Sequence, residues 1–192
     1  MLKLRQGSRV PFPEKLFECY TVSENRWIAN VGCDKLLSVM EHFIDLHDEP
    51  VFFILELPSR LESERGPLHK DVYYLDGCTQ EVAKAILQAV GSLLTADGMC
   101  AFGFGGHESG DEIMAGKYNV VELYGSEQSL YEGFFEAHGI APARHFVCAW
   151  DTFSQEHPGE SERVVVDGRT VYDIPAQLSE AGMYFAERRE ER

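Results

Sequence analysis

A repeated unit of strand, glycine-led corner, amphipathic helix and strand places this 192-residue chain in the α+β (α/β) class. The arrangement it predicts is a ferredoxin-like, extended mixed sheet with helices packed on it and a C-terminal β-hairpin. Three observations carry that expectation. The stretch Val72–Phe104, VYYLDGCTQEVAKAILQAVGSLLTADGMCAFGF, reads through the whole unit once. The same grammar occurs before it, over Trp27–Leu57, and more loosely after it, over Tyr118–Trp150. Gly32-Cys33-Asp34 and Gly77-Cys78-Thr79 stand 45 residues apart, each after a strand and before a helix, which suggests a duplication.

Taken in order, residues 1–15 carry Lys3, Arg5, Arg9 and Lys15 with two prolines, and read as a loosely attached N-terminal arm. A single domain is expected over 16–186, with units at about 26–57, 71–104 and 117–150, a hairpin at 163–174, and a frayed tail at 187–192. Leu16–Val22 and Trp27–Val31 read as strands. Asp34 is placed as the N-cap of a helix reaching about His47, with Leu36, Leu37, Met40, Phe43 and Ile44 on one face. VFFILEL, 51–57, is almost wholly apolar, as a strand covered on both faces should be. Gly66-Pro67 supplies turn chemistry in the polar stretch that follows.

In the second unit Thr79 caps a helix to about Leu94, facing inward with Val82, Ile86, Val90, Leu93 and Leu94. Asp97-Gly98 turns the chain into the strand Met99–Phe104. Gly105–Gly116 reads as an acidic, glycine-rich loop, Tyr118–Tyr124 as a strand, Ser126–His138 as a helix, and HFVCAW (145–150) as a buried strand. Asp167-Gly168 is the pair favoured in a type I′ hairpin turn, here between Val164–Val166 and Thr170–Ile174. Pro175 opens a short helix, Gly182 closes it, and Met183–Ala186 is a last strand.

Charge is the clearest compositional feature. Asp+Glu number 32 against 17 Lys+Arg, a net charge of −15. Such a field repels nucleic acid and anionic membranes and attracts basic partners. No basic stripe with interleaved aromatics argues otherwise. The five cysteines form no C-x-x-C pair, so no zinc or thioredoxin-type motif is written. No signal-peptide pattern and no long apolar run is present, and a cytoplasmic location is expected.

The motifs that come nearest to chemistry fall short of it. Gly103-Phe-Gly105-Gly106-His107-Glu108 puts Glu108 where a dinucleotide fingerprint needs its third glycine. Gly110-DEIMA-Gly116-Lys117 has five intervening residues where a P-loop has four, and no Ser or Thr after the lysine. His107, Glu108, Asp111 and Glu112 match neither an EF-hand nor H-E-x-x-H spacing, so no metal and no cofactor is expected. Cys33 and Cys78 precede helices, where a dipole lowers a thiol pKa, but Asp34 and Asp76 oppose that, and packing is the favoured role.

The expectation is therefore a non-enzymatic, acidic, protein-binding domain, such as an inhibitor or immunity-type antidote to a basic partner. Its contact carboxylates would be Asp45, Asp48, Glu49, Glu108, Asp111 and Glu112. The alternative is a small-molecule enzyme or ligand-binding domain with a site at the 103–116 and 151–162 loops. Its candidate catalytic residues are His107, Glu108, Cys148 and His157. A homo-oligomer built through surface aromatics is a third expectation.

Overall fold

In the computed structural model, which describes residues 1–58 and 68–190, the elements run as follows. They are β1 (Ser8–Arg9), β2 (Cys19–Ser23), β3 (Arg26–Asn30), α1 (Leu36–Asp45), β4 (Val51–Pro58), β5 (His69–Cys78), α2 (Gln80–Ala96), β6 (Ala101–Gly106), β7 (Glu112–Ala115), β8 (Val120–Tyr124), β9 (Ala141–Pro142), β10 (Glu160–Ser161), α3 (Ile174–Gln177) and β11 (Tyr184–Glu190). One large sheet has the order β11-β5-β4-β6-β7-β8-β3-β2-β9, and β1 pairs with β10 apart from it. Its neighbours are antiparallel except β2 and β9, which are parallel.

The chain is thus a mixed α+β structure with one large mixed sheet and few helices. β5 and β6 both run antiparallel to β4, so they are parallel to each other and flank it, with α2 making the crossover. α2 thus joins two parallel strands that have β4 between them. β3 and β4 are likewise parallel, but β6, β7 and β8 lie between them.

One face of the sheet holds the core. Trp27, Ala29, Phe53, Leu55, Phe102, Phe104, Ile113, Ala115, Val121 and Leu123 alternate inward from five strands, as period-2 geometry requires. Against them pack Leu36, Val39, Met40, Phe43 and Ile44 of α1 and Ala83, Ile86, Leu87, Val90, Leu93 and Leu94 of α2. Each such large aliphatic or aromatic side chain stabilises by roughly 1.5–3 kcal/mol on full burial. Truncating Met40 to Ala would cost about 2–5 kcal/mol. The helices meet closely because Gly91 has no Cβ; one built there would stand 2.7 Å from Leu37 Cδ1.

Thr79 caps α2 as expected, its Oγ1 accepting from the Val82 amide at 3.2 Å. Asp97 closes the turn after it, Oδ1 accepting from the amides of Met99 (2.8 Å) and Cys100 (2.9 Å). Asp167 (φ 49°) and Gly168 (φ 76°) both take the left-handed conformation a type I′ turn demands. The described helices include none long and apolar enough to cross a membrane.

Several expectations are corrected. Asp34 does not cap α1; Lys35 holds that position without a side-chain bond, and Asp34 sits 3.6 Å from Lys3 Nζ. Val82 is exposed, and the inner face of α2 is rotated onto Ala83 and Leu87. The acidic loop 105–116 contains β7, a full member of the sheet. Residues 126–138 form two short 3-10 turns, because Glu132 is extended and Gly133 has φ 76°, which breaks a continuous helix. Of the apolar residues expected on that helix, Leu130, Tyr131, Phe134 and Phe135, the last three are buried and Leu130 is exposed.

HFVCAW is no strand: its end is the 3-10 turn Ala149–Thr152, with His145, Val147 and Trp150 exposed. The Asp167-Gly168 hairpin has one bridge, Val166 to Arg169, before the chain coils into a 3-10 turn and α3. Residues 187–190 belong to β11, paired with β5; Glu191 and Arg192, like the Gly66-Pro67 turn, lie outside the described residues.

The N-terminal segment is packed. Leu2 is buried beside Leu16, Tyr118 and Ala149, and the Leu2 amide donates to the Leu16 carbonyl at 3.0 Å. Arg5, 1% exposed, passes its guanidinium over the Phe102 ring and donates to the carbonyls of Cys100 (3.0 Å), Asp97 (3.5 Å) and Ala115 (3.5 Å). Burial lowers its pKa against the raising influence of Cys100 and Asp97. A basic arm thus serves as a plug, since a guanidinium's five donors can close off carbonyls that the strand ends leave open.

Candidate binding groove

With the core on one face, the strands turn their alternate residues to the other. Register sets what stands there. Ile54 faces Tyr74 on one side and Gly103 on the other, Gly103 faces Met114, and Met114 faces Glu122. In the next row Phe52 faces Gly105, Gly105 faces Glu112, and Glu112 faces Tyr124. The two glycines let neighbours fold over them. A Cβ at Gly103 would meet Ile113 O at 1.9 Å and Met114 Sδ at 2.6 Å, and one at Gly105 would meet the Phe52 ring at 2.1 Å. An apolar floor results.

Above this floor lies a groove of about 810 Å³. Ile54, Tyr74, Met99, Ala101, Met114 and Val120 contribute its apolar surface, and Trp150, 53% exposed, stands at its edge. Its charges are mostly paired. Glu56 accepts from both Lys70 and Arg189, the latter at 3.0 Å, and Glu122 binds Arg26 at 2.5 Å. Arg189 also binds Glu187.

Glu112 is different. It is half-buried and has no hydrogen-bond or ion-pair partner among the described residues. Burial raises its pKa, the charge of Glu56 raises it further, and Arg189 opposes both. It is a carboxylate held where its ionised form is poorly solvated, facing open space.

Its chain neighbour Asp111 points the other way, into the core side, where it is 2% exposed. Asp111 Oδ2 accepts from Tyr131 OH at 2.7 Å and lies 3.5 Å from His47 Nε2; Oδ1 accepts from the Ser126 amide at 2.6 Å. His47 Nδ1 is 2.7 Å from the Phe43 carbonyl, so that nitrogen carries a proton and donates. Burial alone would raise the Asp111 pKa, but these bonds overcome it and hold the carboxyl below its ordinary value. The same surroundings push the Tyr131 hydroxyl up, through burial first and then Asp111. The network clasps the end of α1, the β6–β7 turn and the 126–131 segment together. It is closed to solvent and is not part of the groove.

The residues proposed from sequence are scattered. Glu112 lines the groove and Asp111 lies in the clasp. Asp45 pairs with Lys84, Glu49 accepts from the Gln80 amide at 2.7 Å, and Asp48 and Glu108 are exposed. His107 Nε2 is 3.5 Å from Asp76 Oδ1, with its ring against Phe52. His157 packs on Phe12. Cys148 is half-buried and its thiol is pushed up by burial and then by Asp151. Among the described residues no hydrogen bond joins any two of His107, Glu108, Cys148 and His157. The corner thiols are packing groups: burial raises Cys33, and burial then Asp76 push Cys78 up to about 11. No group of three or more His, Cys, Asp or Glu is gathered for a metal among the described residues.

Sequence reasoning missed Glu56, Tyr74, Met114 and Trp150. The first three had a usable signal, since each alternates with core residues on its strand. Trp150 had none, because its turn looked like a strand. Comparison with protein-family models, curated proteins and solved structures gives no match for this chain.

Proposed function

We propose that this chain is a non-enzymatic binding protein that receives a basic protein segment on the uncovered face of its sheet. The observation that carries the reading is the groove of about 810 Å³ with a half-buried Glu112 that is unpaired among the described residues, in a chain of net charge −15. Long-range attraction would gather a cationic partner, and the apolar floor would hold it once docked. An inhibitor or immunity-type antidote to a cationic protein is the finer form of this proposal, and it needs no catalytic constellation.

The test is calorimetric titration with a short arginine-rich peptide and with its glutamate counterpart, at low and at physiological salt. The basic peptide is expected to bind, more weakly as salt rises, and the acidic one to show no heat. Absence of binding by the basic peptide at low salt overturns the reading.

A second reading, a small-molecule site, is favoured by the groove's volume, which falls within the roughly 300–1,000 Å³ of ligand pockets. Of the two loops expected to frame such a site, 103–116 contributes Glu112, Met114 and Gly116, and 151–162 contributes nothing to the lining. The ferredoxin-like description is an architectural proposal for the β4–β6 half, and neither reading depends on it.

A further inference from the structure

The groove's charges are unequal in what they have left to offer. Lys70 and Arg189 are both committed to Glu56, and Arg26 is committed to Glu122. An anion approaching any of these three would have to displace a carboxylate already in place. A cation meets Glu112 without displacing a hydrogen-bond or ion-pair partner among the described residues. Around that carboxylate the register places Gly105 under the Phe52 ring on one side and Tyr124 on the other, with Met114 and Ile54 in the adjoining row. Tyr74 stands beside Phe52, ring centroids 5.7 Å apart. This is a carboxylate set among aromatic and thioether surface, and it suits a particular cation.

An ammonium is compact and strongly hydrated, and it would lose that hydration over an apolar floor. A guanidinium is planar and weakly hydrated, pairs with a carboxylate through two parallel N–H donors, and stacks on rings. We propose that Glu112 anchors a single arginine side chain of the basic partner, its guanidinium paired with the carboxylate and its aliphatic stem lying on Ile54 and Met114. The inference rests on the reading of the groove as a docking face and adds the group recognised there.

The raised pKa of Glu112 fits this role, because an arriving guanidinium replaces the water that the folded chain has taken from it. Arg189 limits that repulsion from Glu56 without reaching Glu112 as a bonded partner.

The experiment uses the full chain and two peptides that differ only in arginine or lysine. Against the arginine peptide, Glu112→Gln is expected to weaken binding by about 10–100-fold, the loss of a charge-assisted pair. Glu180→Gln, an exposed carboxylate that does not line the groove, should match the wild type and so corrects for net charge. The lysine peptide should bind the wild type more weakly than the arginine peptide. Thermal melts confirm that each variant is folded, and Met114→Lys, which puts a positive charge on the floor and should weaken binding of the arginine peptide, gives a second disruption independent of position 112. If the wild type binds and Glu112→Gln binds equally well, or if lysine is preferred, the arginine anchor is wrong while the docking face stands. If neither peptide binds, the docking face itself is wrong.

Discussion

Asp111 and Glu112 carry the same headgroup in adjacent positions, and the fold moves their pKa values in opposite directions. Alternation along the strand sends one side chain into the core and the other onto the open face. Asp111 accepts from Tyr131 and from the Ser126 amide there; Glu112 gains no hydrogen bond. For Asp111 the folded value lies below the unfolded one, about 3.9. Its stabilisation is therefore complete above that pH and fades as pH falls through the folded value. Asp111→Asn is expected to cost about 1–3 kcal/mol at neutral pH, since Tyr131 and the Ser126 amide keep weaker acceptors. Melting temperatures measured from pH 7 to pH 3 should fall less steeply below pH 4 for the variant than for the wild type.

At the scale of elements, the 131–140 segment is held on α1 largely by aromatic packing and one imidazole pair. His42 Nδ1 and His138 Nε2 stand 3.0 Å apart, and His42 stacks on Phe134 with centroids 4.5 Å apart. Burial lowers both pKa values, helped at His138 by the charges of His42 and Lys35 and opposed at His42 by Asp45. A histidine whose folded value is depressed favours folding fully above its unfolded value, about 6.5, and loses that contribution as pH falls toward the folded value. Stability should drop between pH 7 and pH 5, and His138→Gln should flatten that drop. Equilibrium urea unfolding at the two pH values reads it, and an equal drop in the variant would assign the acid sensitivity elsewhere. Patterning announced that Tyr131, Phe134 and Phe135 are inward, but not that 3-10 turns present them, because Gly133's positive φ is a backbone choice that periodicity does not encode.

Over the whole molecule, the N-terminal segment and the sheet are one structure. Arg5 binds carbonyls of Asp97, Cys100 and Ala115, and its own amide donates to Asn119 Oδ1 at 3.0 Å. Asn119 Nδ2 in turn donates to the Lys3 (3.2 Å) and Val31 (2.8 Å) carbonyls. Removing residues 1–9 would strand these groups in the interior and cost on the order of 3 kcal/mol or more. At roughly 2–4 °C per kcal/mol for a chain of this size, calorimetry should show melting lowered by about 6–12 °C. A truncated chain that melts with the full one would return the segment to the status of a loose arm. The −15 net charge is a property of the same scale, and its expected consequence is an association that salt weakens.

What the residues determined unaided was local. Thr79 as a cap, Asp97-Gly98 and Asp167-Gly168 as turns, and α2's existence follow from hydrogen-bond chemistry and hydrophobic period over a few neighbours, whereas VFFILEL, expected to be covered on both faces, has Ile54 and Glu56 on the open groove. The third dimension decided the rest. That β4 lies between β5 and β6, that β7 completes the sheet from an apparent loop, and that Glu56, Tyr74, Met114 and Trp150 line one groove all depend on pairings between distant strands. Strand order is set by which faces can be buried together, and a linear pattern records which face is apolar but not which partner covers it.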